Sequence, residues 1–336
     1  MRIWDDRAPD RIGTEYLYQS QSKGERVMGI SSLKDCVGLH IVAQTPFCAN
    51  GDLDLDSIDS LSAFYYEHEA QGLTILGVSG EQTKLTADES ILVAKQFIQA
   101  AAGHRIIAGV SSPSLAQLVT VTRHVMAEGA SAVMICPPRG TQSDEDLMRY
   151  FDAVFERIGD TPTVLQDFPG HSGVRMSPPL IRRLVDAFPQ IGVVKEEDLP
   201  SVPKITRLRA ELGNRVRILT GNNGLYLPQE LSRGADGPMA GFSFPEMLSG
   251  VHAFYMAGDI AAAHALFERY LPLLRYEAQG EWGIAIRKEV MRQRGALHCS
   301  ALRMPGPVLS AQDRREVAEM VARMDIGFQF DAGGGD

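Results

Sequence analysis

The sequence predicts a (β/α)8 barrel (a TIM barrel) followed by a C-terminal helical extension. Three observations carry that prediction. Short aliphatic and β-branched runs recur along the middle of the chain, each followed by an amphipathic stretch, as in repeated βα units on a parallel sheet. Several runs are continuously apolar rather than alternating, as expected of strands covered on both faces. The stretches between them carry their own helix start and stop signals. Eight such units are the count for a closed barrel, and a doubly wound sheet is the alternative.

In order, the predicted strands are Leu39–Gln44, Leu73–Val78, Arg105–Val110, Ala132–Cys136, Thr163–Asp167, Ile191–Lys195, Val216–Thr220 and Gly237–Ala240. Thr86 and Glu89 form a capping-box pattern opening a helix over Asp88–Ala102, whose Ile91, Leu92, Phe97 and Ile98 fall largely on one stripe. Ser177 followed by Pro178 supplies an N-cap and a first-turn proline for a helix carrying Leu180, Ile181, Leu184 and Val185. Gly72 and Gly129 stand where helix C-caps are expected, before the second and fourth strands. Beyond the eighth strand, helical pattern continues from Phe244 to Met324, including Ala261–Tyr270 and Gly283–Arg294. The expected organisation is therefore an N-terminal extension over 1–30, poorly ordered and without apolar period; a barrel over 31–243; a helical region over 244–328; and a flexible tail over 329–336.

Composition narrows the function classes. With 336 residues, 44% hydrophobic, the chain can bury one large core. No apolar run approaches the roughly 20 residues that span a bilayer, and Met1 to Arg26 lack a signal-peptide core, so a cytoplasmic protein without membrane contact is expected. Cys36, Cys48, Cys136 and Cys299 show no C-x-x-C spacing, which argues for reduced thiols. A net charge of -9 without a basic run disfavours nucleic acid, while leaving room for a small anion held by local donors.

In a parallel barrel the reactive groups sit at the C-terminal strand ends. Lys195 closes Ile191-Gly192-Val193-Val194-Lys195, where loss of solvation favours the neutral amine that attacks a ketone. Position alone also fits a rim lysine that snorkels to water and pairs with Glu196 or Glu197. After the second strand, Gly77-Val78-Ser79-Gly80-Glu81 offers backbone amides and a hydroxyl to a carboxylate, although a ligand-free glycine turn has the same composition. The eight histidines lack H-x-H and H-E-x-x-H spacing, and neither a G-x-S-x-G elbow nor a phosphate loop is present. No metal or cofactor is therefore expected.

Thr45-Pro46-Phe47, Gly77-Val78-Ser79-Gly80-Glu81 and Val194-Lys195-Glu196, in this order, resemble the dihydrodipicolinate synthase and N-acetylneuraminate lyase family. Asp167-Phe168-Pro169-Gly170-His171-Ser172-Gly173 and Gly221-Asn222-Asn223 add to the resemblance, which runs from about Gly38 to Pro307. It implies a commonly tetrameric barrel, so a homo-oligomer (tetramer or dimer) is expected. It also implies a lyase in which Lys195 condenses with a 2-oxo acid as a Schiff base. The iminium would drain electrons from the neighbouring carbon to give an enamine, from which either an aldolase or a dehydratase reaction proceeds.

The departures from the family are specific. Arg139 stands where the family places a proton-relaying tyrosine, and Val78 replaces the first threonine of its G-T-T-G-E loop. A protonated arginine is a poor base but a good carboxylate partner. His171 takes the place of the family arginine for the second substrate, and Gln166 and Asp167 replace a tyrosine and an asparagine, which disfavours dihydrodipicolinate synthase activity itself. Val164-Leu165-Gln166-Asp167, Arg233 to Gly241 and Leu271-Pro272-Leu273-Leu274 look like the 2-keto-3-deoxy sugar-acid dehydratase branch. By this resemblance Lys195 is the nucleophile, the Gly77, Val78, Ser79, Gly80 loop holds the carboxylate and Met239 lines the pocket. Gln166, Asp167, His171 and Asn222 face the distal hydroxyls, with Asp167 or His171 replacing the tyrosine relay. The rival is a non-catalytic 2-oxo acid binding or regulatory barrel that has lost that relay.

Overall fold

Eight parallel strands in sequential order form the sheet of the computed structural model, which describes residues 33–141 and 143–333. They are β1 (His40–Val42), β2 (Gly72–Ile75), β3 (Arg105–Gly109), β4 (Ala132–Ile135), β5 (Thr163–Asp167), β6 (Ile191–Glu196), β7 (Arg217–Thr220) and β8 (Gly237–Pro238). The ring closes where the Gly38 amide donates to Asp236 O and the Val42 amide to Ala240 O, both at 3.0 Å. This is the expected (β/α)8 barrel, and all eight predicted strands are present. Residues 1–30, the expected extension, lie outside the described residues.

Around the strands run α1 (Asp56–Glu67), α2 (Ala87–Ala100), α3 (Leu115–Glu128), α4 (Asp144–Ile158), a short α5 (Pro169–Ser172), α6 (Pro178–Ala187), α7 (Ser201–Leu212) and α8 (Leu227–Ser232). The capping signals act as expected. Thr86 accepts from the Glu89 amide while Glu89 reaches back to Thr86, and Ser177 accepts from the Leu180 amide ahead of Pro178. Gly129 caps α3 at a φ of 112°. Gly72, expected as a second cap, instead opens β2. A Cβ there would lie 2.9 Å from Arg105 O and 3.0 Å from the His40 ring, so the glycine answers a close strand approach.

A C-terminal layer follows, made of α9 (Pro245–Met256), α10 (Ile260–Glu277), α11 (Gly280–Gln293) and α12 (Ala311–Met324). Of the flexible tail expected over 329–336, residues 334–336 lie outside the described residues, while 329–333 are tied to the C-terminal layer. Phe328 packs edge-on against Phe244, Phe330 is buried, and the Asp331 backbone exchanges hydrogen bonds with Gln293. Burying an aromatic side chain contributes roughly 1.5–3 kcal/mol toward ordering this segment. Among the described residues no helix is long and apolar enough to cross a membrane.

Two apolar cores result from the strand period of two. Val42, Ile107, Met134, Val164, Val193, Leu219 and Met239 fill the barrel interior, while the intervening strand residues pack outward against the helices. The same alternation aims the polar strand ends. Gln166 and Lys195, two residues beyond Val164 and Val193 and paired in register, point inward. Asp167 and Glu196, the next residues along, point outward.

Candidate active site

The inward-pointing strand ends and the loops after them enclose a cavity of about 520 Å³. Its floor carries Val42, Met134 and Met239, and its walls carry Lys195, Gln166, Glu197, His171, Ser111, Asn222 and the Gly77 to Ser79 loop. Lys195 is buried, with Nζ 3.2 Å from Oε2 of an equally buried Glu197. Gln166 Nε2 donates to that same Oε2 at 2.6 Å, and the Asn222 amide reaches Oε1 at 3.4 Å. An amine, a carboxylate and an amide thus form one connected group at the barrel mouth.

The glycine loop is built to bind at its open end. Val78–Gly80 forms a 3-10 turn in which the Gly80 and Glu81 amides bond back to Gly77 O and Val78 O, each at 3.0 Å. The amides at the start of such a turn have no acceptor within it, so Val78 and Ser79 are the ones the loop can offer an anion. Thr45 Oγ1 donates to Gly80 O at 2.6 Å and fixes the turn to the segment that follows β1. Gly80 itself faces Ala43 and Thr45 and does not line the cavity. Glu81, at a left-handed φ of 53°, is clamped by Lys288 at 2.6 Å and Lys84 at 3.1 Å.

The C-terminal layer contributes a buried cation to this wall. Arg287 Nε pairs with Glu277 Oε2 at 2.8 Å, and Nη1 donates to Ser79 Oγ at 3.3 Å. Both ionic residues are buried, line the cavity, and are further tied through Ser243, which bonds Glu277. With its oxygen accepting from Arg287, the Ser79 hydroxyl proton is free for a ligand.

Of the residues singled out from the sequence, Lys195, Gln166, His171, Asn222, Met239, Gly77, Val78 and Ser79 converge on the cavity, whereas Gly80, Arg139 and Asp167 do not line it. Arg139 is exposed and donates through Nε and Nη2 to the His171 carbonyl, at 3.1 and 2.8 Å. It ties down the loop bearing His171. Half-buried His171 has its pKa lowered by burial, with the Arg139 charge adding to the effect, so the imidazole is neutral near pH 7.

Asp167 belongs to a separate buried cluster behind β5 and β6. Lys204 Nζ bonds its carboxylate and that of Asp198, at 2.9 Å for the latter, with Glu196 4.0 Å away. Burial raises the pKa of Asp167 and, reinforced by the Asp167 charge, holds that of Glu196 well above the carboxylate range. Burial also pushes the cavity-lining Cys136 thiol up to about 12, so it stays protonated and poorly nucleophilic. Glu197, Arg287 and Glu277 were not singled out for the site. The parity of positions 195 and 197 signals Glu197, while nothing local places the C-terminal pair at the barrel mouth.

Residues 35–324 match the model of the dihydrodipicolinate synthetase family. A 4-hydroxy-tetrahydrodipicolinate synthase of Synechococcus sp. (strain CC9605) is 32% identical over 237 residues, covering 69% of this chain and 77% of its own. An L-2-keto-3-deoxyarabonate dehydratase of Azospirillum brasilense is 28% identical over 295 residues, 86% of this chain and 94% of its own. Among solved structures, a dihydrodipicolinate synthase from Rhodopseudomonas palustris superposes with a TM-score of 0.84 at 42% identity, covering 87% of this chain and 98% of its own. With its barrel, its rim lysine and these relatives taken together, the chain is a lyase-type enzyme and belongs to the dihydrodipicolinate synthetase family.

Proposed function

We propose that this enzyme binds a hydroxylated 2-oxo acid as a Schiff base on Lys195 and, through the enamine, eliminates water or cleaves a carbon-carbon bond. Dehydration of a 3-deoxy-2-oxo sugar acid is the favoured reaction. The observation that carries the reading is that buried Lys195 lines the same cavity as Val78 and Ser79 of the glycine turn. A 2-oxo acid has its carbonyl and carboxylate on adjacent carbons, so it can engage both at once. With Cys136 held protonated, Lys195 is the nucleophile of the cavity.

The distal wall supports a polyhydroxylated remainder. Gln166, Asn222 and a neutral His171 offer donors and acceptors but no fixed cation for a second carboxylate. Arg139, held on the His171 carbonyl, is not placed to supply that charge. The dehydratase of Azospirillum brasilense among the relatives adds weight to the same choice.

Incubation with a panel of five- and six-carbon 3-deoxy-2-oxo sugar acids tests the assignment, with mass spectrometry for loss of water and a coupled assay for released pyruvate. Water loss from at least one acid, abolished in Lys195→Ala, is the expected result. Pyruvate release without water loss would assign an aldolase. Neither reaction, with binding retained, would leave a 2-oxo acid binding barrel.

A further inference from the structure

The Schiff-base reading leaves open which group moves the protons. We propose that Glu197 does so, exchanging them with Lys195 Nζ during imine formation and with the adjacent substrate carbon afterwards. This inference rests on the Schiff-base assignment and adds a catalytic residue to it.

Position and competition both support it. Glu197 Oε2 is 3.2 Å from Lys195 Nζ, and both side chains are buried in the same cavity wall. The other acids lining the cavity are engaged elsewhere. Glu81 is held by Lys288 and Lys84, Glu277 by Arg287 and Ser243, and Glu281 by Lys84 at 3.1 Å near the surface. Asp167 is outside the cavity and bonded to Lys204.

The surroundings fix the carboxylate for this use. Gln166 holds Oε2 at 2.6 Å, while among the described residues Oε1 receives the 3.4 Å approach of the Asn222 backbone amide, which makes it the freer oxygen for a second proton partner. Gly221 makes the room. A Cβ at 221 would lie 2.2 Å from Glu197 Cγ and 2.3 Å from Oε1, so a side chain at 221 and this carboxylate position exclude each other.

The steps balance around one carboxylate. Glu197 takes a proton from the Lys195 ammonium, and the freed amine attacks the substrate carbonyl carbon. The Glu197 carboxylic acid returns the proton to the carbonyl oxygen, giving a carbinolamine. A second pass, from nitrogen to the departing hydroxyl, releases water and leaves the iminium with an ionised Glu197. The carbon bearing the acidic proton is now two bonds from Nζ, within reach of the same oxygens. Glu197 takes that proton, the C-H pair becomes the enamine double bond and the iminium pair returns to nitrogen. In a dehydration the enamine then expels the next hydroxyl, which leaves as water with the Glu197 proton.

The test compares wild type with Glu197→Gln and Glu197→Asp. Borohydride-trapped pyruvate adduct is quantified by intact mass, and deuterium uptake into the pyruvate methyl in D2O is followed by NMR. The expected result is exchange per trapped imine lower by on the order of 10²-fold or more in Glu197→Gln, with partial recovery in Glu197→Asp. The isosteric amide preserves packing, and circular dichroism checks the fold. Exchange per imine in Glu197→Gln equal to wild type overturns the role of Glu197, even if both quantities fall together, because Glu197 would then only hold Lys195. Absence of adduct in wild type overturns the Schiff-base reading instead, so the two failures are distinguishable.

Discussion

Gly221→Ala places a methyl group against Glu197 without altering any titratable residue. The new carbon would sit 2.2 Å from Cγ and 2.3 Å from both Cδ and Oε1 of Glu197. Ordinary carbon contacts are about 3.5–4.0 Å, so the side chain must retreat by more than about 1 Å. That carries Oε2 out of its 3.2 Å approach to Lys195 and strains the bond from Gln166. Misplacement on this scale costs roughly 10²-fold in rate. The clash falls on a side chain rather than on backbone, so the stability loss should stay near the low end of the roughly 1–3 kcal/mol typical of overpacking. The assay is pyruvate methyl exchange in D2O at saturating pyruvate, alongside a urea melt. Exchange within about threefold of wild type in a folded Gly221→Ala protein would refute the reasoning.

Three further outcomes follow from the packing and charge. Glu277→Gln leaves the buried Arg287 without its counter-charge and should cost about 3–5 kcal/mol in a urea titration, with a raised KM because Arg287 also holds Ser79; an unchanged midpoint would contradict this. Burial pushes the Glu230 carboxyl up to about 7 from an ordinary 4.5, offset in part by bonding to Ser201. Its contribution is present in full below pH 4.5 and is lost as pH rises through 7, by about 3 kcal/mol, so Glu230→Gln should flatten that part of the stability profile; an identical slope would refute the assignment. Arg139→Ala should change stability by less than about 0.5 kcal/mol and leave imine formation intact, because the side chain is exposed and bonds the His171 carbonyl of the short α5. An adduct lost as completely as in Lys195→Ala would instead place Arg139 in the chemistry.

The barrel was legible because each strand is short, apolar and bracketed by turn or capping residues, and the eight runs need no long-range information to be found. What local pattern misjudged were the places where tertiary contact decides. The second strand stops at Ile75 rather than Val78, because Leu76 turns to a left-handed φ of 54° and the chain leaves the sheet to form the glycine turn. Gly72 reads as a helix cap by position, yet serves a close approach between neighbouring strands. Phe330 reads as tail, yet is buried with the large apolar core.

The site follows the same division. Lys195 could be placed from its strand end, and the parity of β5 could have separated inward Gln166 from outward Asp167, since Val164 and Leu165 already set the two faces. The parity of β6 likewise carries Glu197 to the side of Lys195 once the strand has ended. Arg287 and Glu277 had no such signal, because they reach the cavity from two helices whose sequence says nothing about a barrel mouth.

The covalent bond between Lys195 and a 2-oxo acid is the central step of the proposed reaction. Intact-mass measurement after incubation with pyruvate or a 3-deoxy-2-oxo sugar acid and borohydride, on wild type and Lys195→Ala, tests it directly. A single reduced adduct on wild type and none on the variant is predicted. No adduct with any acid, or one that persists without Lys195, would contradict the account.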